Sequence, residues 1–292
     1  MSQPAPVQLV AVLGEGVVAP GSALVGGDDL GLTRGDGCFD ALRVTQDANG
    51  PRAHHRQAHL ARLVASAAAL QFEKVPTIAA WDELIDGALA GWQEPGEAIL
   101  KLVLTRGTES VRSAPFGYLT ITSAPDHTRA RRGVTAISLD RGYRSDAFSD
   151  APWLLGGVKT LSYAVNVAAR REASARGVDD AIWRSSDGYL LEGPTSGLLF
   201  SRDDRLWTTP TQGTGILASV TVAEVLAEAE RQGVGTGTAL FTPAQAIECD
   251  GVWLASAIRG VLPVVELDGR PIRHDPAVTS VLAVAAGFPP LT

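Results

Sequence analysis

Apolar runs of strand length recur along this chain between segments of helical period, but not in the strict strand–helix–strand rhythm of a parallel α/β sheet. Residues 7–13, 39–44, 98–105 and 118–122 read as strands in the first half, and 134–140, 181–184, 197–200, 251–256 and 262–267 in the second. In 57–70, Leu60, Leu63, Val64, Ala67 and Leu70 recur at helical spacing. Residues 81–92, 162–176, 222–232 and 276–286 read as further helices, the fourth of these five segments stopping at Gly233. Mixing of this kind favours an α+β fold. A polar, proline-containing stretch with Arg129, Arg131 and Arg132 divides the chain. The expected organisation is a small N-terminal domain over 1–123, a linker over 124–133 and a larger C-terminal domain over 134–292.

The 292 residues suffice to bury a core, and the two cysteines, Cys38 and Cys249, cannot build a disulfide framework or a cysteine-rich zinc site. A reducing cytoplasm is the expected location. A net charge of −7 disfavours nucleic-acid binding. No basic residue precedes the first apolar stretch, as a secretory signal requires, and no window is apolar enough to span a membrane. His54, His55 and His59 cluster but lack a companion ligand pattern, so no metal is expected.

Only three lysines, Lys74, Lys101 and Lys159, occur among 25 basic residues. Lys159 follows Gly156-Gly157 in a stretch without nearby charge, the kind of surroundings that disfavour an ammonium and create a nucleophilic amine. A lysine whose stem packs while its head reaches water is the plain alternative. Glu192 stands between an apolar run and a Gly-Pro turn, either a strand-end charge or a carboxylate held toward a cation. The 213–224 stretch feeds a glycine-containing loop into a helix, with Thr221 as N-cap and Glu224 completing a capping box. Such a helix start can bind an anion or be simply capped. An amine for an aldehyde, a carboxylate for a ring nitrogen and a helix N-terminus for a phosphate together describe pyridoxal 5′-phosphate (PLP).

Five motifs in order carry a resemblance: Arg34–Val44, which includes Gly35-Asp36-Gly37 and Phe39-Asp40-Ala41; His59-Leu60-Ala61-Arg62-Leu63; Lys159-Thr160-Leu161-Ser162-Tyr163; Asp187–Gly193; and Gly215–Thr221. Ala255–Val264 adds a terminal Pro-Val strand. The chain resembles the fold-type IV PLP enzymes, a two-domain fold of the D-amino-acid aminotransferase kind. That resemblance implies a Schiff base on Lys159, which also shuttles the proton, and Glu192 at the pyridine nitrogen. It implies Arg62 on the phosphate, helped by Val220 and Thr221 and by Ala257 and Ile258, and Tyr163 at the ring hydroxyl. It also implies a homodimer. Gly197 stands where the family often has Asn, and Ser219-Val220-Thr221-Val222 replaces the usual Gly-Ile-Thr-Arg.

Within that family, Phe39 with its neighbours, and Arg106 without a nearby histidine, resemble 4-amino-4-deoxychorismate lyase more than the aminotransferases. The resemblance implies release of 4-aminobenzoate and pyruvate, a step of folate synthesis. Phe39 is a substrate-pocket residue in this reading. Arg106, Arg112 and Arg43 are candidates for the substrate carboxylates, with Arg106 preferred. An aminotransferase for branched-chain or D-amino acids, sharing every cofactor residue, is the alternative. A non-catalytic relative is a further one, to which Gly197 and Ser219 would point.

Overall fold

The computed structural model describes residues 8–19, 21–48, 50–110 and 115–290. Val7, at the start of the first expected strand, and Arg112 lie outside the described residues. The chain divides into two units, one of Met1–Pro125 with Val158–Tyr163, the other of Asp126–Gly157 with Ala164–Thr292.

The first unit contains β1 (Gln8–Val12), β2 (Gly16–Val18), α1 (Leu30–Arg34), β3 (Gly37–Asp47), β4 (Gly50–Ala53), α2 (Arg56–Ala69), α3 (Ile78–Gly91), β5 (Glu97–Thr105) and β6 (Phe116–Ser123). Its strands form one antiparallel sheet in the order β2-β1-β6-β5-β3-β4. Helix α2 buries His59, Leu60, Leu63, Ser66 and Ala67, so two polar side chains share its packed face. Thr77 caps α3 by accepting the Ala80 N–H.

The second unit contains α4 (Thr128–Arg132), β7 (Val134–Asp140), α5 (Ala164–Ala175), β8 (Asp180–Arg184), β9 (Gly197–Arg202), β10 (Arg205–Thr208), α6 (Val220–Arg231), β11 (Gly235–Thr238), α7 (Pro243–Ile247), β12 (Gly251–Ser256), β13 (Gly260–Leu267), β14 (Arg270–Pro271) and α8 (Pro276–Ala285). The sheet order is β11-β10-β9-β12-β13-β7-β8, with β14 on β13. The β10–β11, β13–β7 and β7–β8 pairs are parallel and the others antiparallel. Strands β9 and β12 are buried on both faces, which explains their unbroken apolar runs. Leu198, Phe200, Val252 and Leu254 enter one core; Leu199, Trp253 and Ala255 enter another that includes residues of α6 and α8. Trp253 Nε1 donates to Thr279 Oγ1 at 2.9 Å, tying β12 to α8.

These units differ from the sequence expectation of 1–123, 124–133 and 134–292 in two respects. The expected linker contains α4, which packs on β13. Residues 158–163 leave the expected C-terminal domain for the first unit, because they bond to the start of β3. Leu161 N–H donates to the Gly37 carbonyl (2.9 Å), and Phe39 N–H to the Lys159 carbonyl (3.0 Å). Glycine makes this approach possible: a Cβ on Gly35 would lie 2.2 Å from Ser162 Oγ, and Gly35 also has φ +69°. Among the described residues no helix is long and apolar enough to cross a membrane.

Candidate active site

The first unit brings Lys159, Phe39 and Tyr163 together. Thr160 bridges Cys38 across the β3 edge, and Lys159 N–H donates to Ser66 Oγ on α2 at 3.3 Å. Lys159 Nζ lies 4.5 Å from the Phe39 ring centroid and 5.3 Å from that of Tyr163. The two rings meet edge to face with centroids 5.1 Å apart. The amine therefore sits against aromatic faces, which attract its cation and exclude water from that side.

Arg62 projects from α2 onto Asp40 of β3. Its Nε donates to Asp40 Oδ2 and its Nη2 to Asp40 Oδ1, both at 2.8 Å. His59 Nδ1 lies 2.8 Å from the same Oδ1. Asp40 is fully buried, which alone would raise its pKa, but the bonds from Arg62 and His59 prevail and hold its carboxyl well below the usual carboxylate range. A forked, two-bond grip fixes the plane of the guanidinium as a single contact could not. Neither Asp40 nor His59 stood out in the sequence as a partner of Arg62. The available signal was a carboxylate inside an apolar strand, and a histidine and arginine three apart on a helix face.

Arg106 is held by Asp36 and by the end of α2. Its Nε and Nη2 donate to Asp36 at 2.6 and 3.0 Å, and Nη2 also donates to the Leu70 carbonyl at 2.6 Å, beyond the end of α2. Its guanidinium carbon stands 4.4 Å from the Phe72 ring centroid. These contacts make it an anchor between the Asp36 turn and the end of α2. Arg43 is buried and its Nε lies 3.5 Å from Glu97. The three neighbouring histidines diverge. His54 bonds Thr45, and burial with nearby Arg43 and Arg52 pushes it down to about 4, while His59 faces Asp40. Among the described residues no three His, Cys, Asp or Glu side chains converge as a metal site.

The second unit places Glu192 beside β8, where its carbonyl accepts the Trp183 N–H. Its Oε2 accepts the Leu217 N–H at 3.1 Å, and Oε1 lies 3.7 Å from Arg141 Nη1. That Nη1 is buried and has no hydrogen-bond partner among the described residues. Val220 and Thr221 form the buried first turn of α6. The N-cap is Ser219, not Thr221: Ser219 is extended and its Oγ accepts the Val222 N–H at 3.3 Å, so the helix starts two residues earlier than expected. A reciprocal capping box is formed by Thr242 and Gln245 at the start of α7. Ala257 and Ile258 lie in the turn joining β12 to β13.

Comparison with known proteins adds independent observations. The amino-transferase class IV family model matches residues 37–267. A bifunctional aminodeoxychorismate lyase / D-amino acid transaminase of Mycobacterium tuberculosis (strain ATCC 25618 / H37Rv) is 34% identical over 278 residues, 92% of this chain and 94% of that one. A fold IV-transaminase from Curtobacterium pusillum superposes with a TM-score of 0.88 at 36% identity, covering 95% of this chain and 99% of that one. The PLP-bound form of a hypothetical aminotransferase from Mycobacterium tuberculosis superposes with a TM-score of 0.88 at 35% identity, covering 96% and 97%.

Proposed function

Starting from the fact that the chain belongs to the amino-transferase class IV family, we propose that it is a PLP-dependent 4-amino-4-deoxychorismate lyase that releases 4-aminobenzoate and pyruvate. The observation that carries the cofactor reading is Lys159, its amine set against the rings of Phe39 and Tyr163. Each unit by itself offers groups suited to the cofactor. There is an amine for its aldehyde, a guanidinium fixed by a buried carboxylate for its phosphate, a carboxylate for its ring nitrogen, and a helix N-terminus. Arg141 Nη1, buried and 3.7 Å from Glu192 but without a hydrogen-bond partner among the described residues, is a donor that a ligand could satisfy.

When bound, PLP supplies an aldehyde for the substrate amine and a ring that draws electrons from the adjacent carbon. In this reading Lys159 Nζ holds the aldehyde until substrate arrives and then takes the proton from the ring carbon bearing the amine. Loss of that proton would let the enolpyruvyl oxygen leave as the carbocycle becomes aromatic; Lys159 Nζ would then retake the aldehyde and free 4-aminobenzoate, while the released enol would take up a proton to give pyruvate. Glu192 keeps the cofactor nitrogen protonated. Arg62, Val220, Thr221, Ala257 and Ile258 hold the phosphate, and Tyr163 meets the ring hydroxyl. Phe39 lines the substrate pocket. Arg106, held by Asp36 much as Arg62 is held by Asp40, is the preferred candidate to meet a substrate carboxylate.

The phenylalanine at position 39 and the missing histidine partner of Arg106 support the lyase. The name of the Mycobacterium tuberculosis relative, which joins lyase and D-amino acid transaminase, supports both this reading and a second, transaminating one. Both reactions use the same cofactor residues. We further propose a cytoplasmic homodimer in folate synthesis. In the second unit Trp153, 74% exposed, with Leu154, Val165 and Val167, offers apolar surface for a second copy to cover. Both cysteines are unbridged, as in a reducing compartment. The test supplies PLP-loaded protein with 4-amino-4-deoxychorismate and follows both products. Equal formation of 4-aminobenzoate and pyruvate supports the lyase. No product from protein with an intact PLP spectrum contradicts it and directs the assay to D-amino acid and branched-chain donors.

A further inference from the structure

The second unit contains a buried ion pair that the reaction scheme does not use. Arg259 closes the turn that carries Ala257 and Ile258. Its Nη1 donates to Asp180 Oδ2 at 2.6 Å; Nη2 donates to Ser196 Oγ at 2.7 Å and to Thr195 Oγ1 at 3.3 Å. Asp180 is fully buried at the start of β8, and its other oxygen accepts the Ala181 N–H at 2.9 Å. The Arg259 carbonyl accepts from Arg131 Nε of α4 at 3.0 Å, and its own N–H donates to Ser256 Oγ at 3.3 Å. The turn is thereby fixed to α4, to β8 and to the 195–196 segment.

That same segment leads directly into Gly197, which lies against the start of α6. A Cβ at Gly197 would stand 2.8 Å from Val222 Cγ2 and 3.1 Å from Ser219 Cβ. Val222 cannot swing aside easily, because a β-branched side chain in a helix has essentially one χ1. Gly197 and Ser219, two departures from the usual family pattern, therefore fit each other: the missing side chain makes room for the capped helix start. Residues 195–197 connect the 257–259 turn on one side with the first turn of α6 on the other.

We propose that Arg259, with Asp180 as its counter-charge, is the positioning residue that sets the 257–258 turn and the α6 N-terminus for the cofactor phosphate. This rests on the reading above that Val220, Thr221, Ala257 and Ile258 meet that phosphate. A guanidinium suits the role because its planar fork donates in two directions at once, to a carboxylate and to two hydroxyls. Its buried charge requires Asp180, since an unpaired charge would not remain in that interior. Arg259 touches no reacting atom in this account; it acts through the segments it holds.

The test compares affinity for PLP with affinity for pyridoxal, which lacks the phosphate, in the full-length apoenzyme. The neutral pair Arg259→Gln with Asp180→Asn leaves no uncompensated charge. It is expected to keep the wild-type circular dichroism spectrum and lose about tenfold in PLP affinity, with pyridoxal affinity unchanged. Arg259→Lys is expected to recover part of the loss. If the paired variant does not fold, Ser196→Ala, which deletes a single acceptor, is expected to lower the PLP-to-pyridoxal preference by roughly threefold. Folded variants that keep the wild-type preference, or that lose both ligands equally, overturn the inference and leave the ion pair as architecture. A wild-type protein that binds neither ligand overturns the cofactor reading itself, and this inference with it.

Discussion

Asp40 of β3 is a fully buried carboxylate. It occupies a strand position where the chain otherwise buries apolar groups, and it stays ionised because Arg62 and His59 approach it from α2. Replacing it with Asn removes the buried carboxylate that Arg62 and His59 both hold, and the expected loss is about 3–5 kcal/mol in denaturant unfolding at pH 7. The pH dependence has a definite sign. The folded carboxyl titrates below the unfolded one, so its contribution is complete above the unfolded value of about 3.9 and is lost as pH falls through the lower folded value. Wild type and Asp40→Asn should therefore differ most near neutrality and converge in strong acid; a gap that grows below pH 4 would contradict the account. Lys159 and Glu192 stood out in the sequence as a lysine and a carboxylate in apolar stretches, whereas Arg62 entered only through the family resemblance. Their neighbours did not stand out. Asp40, Arg141, Asp180 and Arg259 acquire meaning only through contacts between distant parts of the chain, which no local spacing records.

Among the elements, long periodic segments were legible and short ones were not. Strands 134–140 and 251–256 have the expected bounds, and the other expected strands and the five helices lie within a few residues of theirs. Strands β2, β4, β10, β11 and β14 and helices α1, α4 and α7 are too short to establish a period. The α6 start shows a subtler limit. Both Ser219 and Thr221 are good N-caps by type, and the choice fell to Ser219, which Gly197 lets pack close. Ser219→Ala should therefore destabilise the protein by about 1 kcal/mol in thermal or urea unfolding. An unchanged midpoint would remove Ser219 from the role of cap.

For the whole molecule, chain order and spatial grouping diverge at the residue that matters most. Lys159 follows the dividing connector in sequence, yet it belongs to the first unit through its bonds to β3. The signal was present only indirectly, in Gly35 and Gly37 leaving room for a neighbouring chain segment. Assembly is a second property of this scale. Light scattering on wild type should give two chains per particle, and Trp153→Asp should shift it to one; a wild type that is already monomeric contradicts the homodimer. Lys159 is the residue on which the proposed cofactor chemistry depends. Borohydride reduction of the PLP-loaded protein followed by peptide mass spectrometry tests this directly, because only three lysines compete. The expected result is a stable phosphopyridoxyl adduct on the peptide containing Lys159 and its absence in Lys159→Ala. An adduct on Lys74 or Lys101, or none on a protein that turns over substrate, would contradict it.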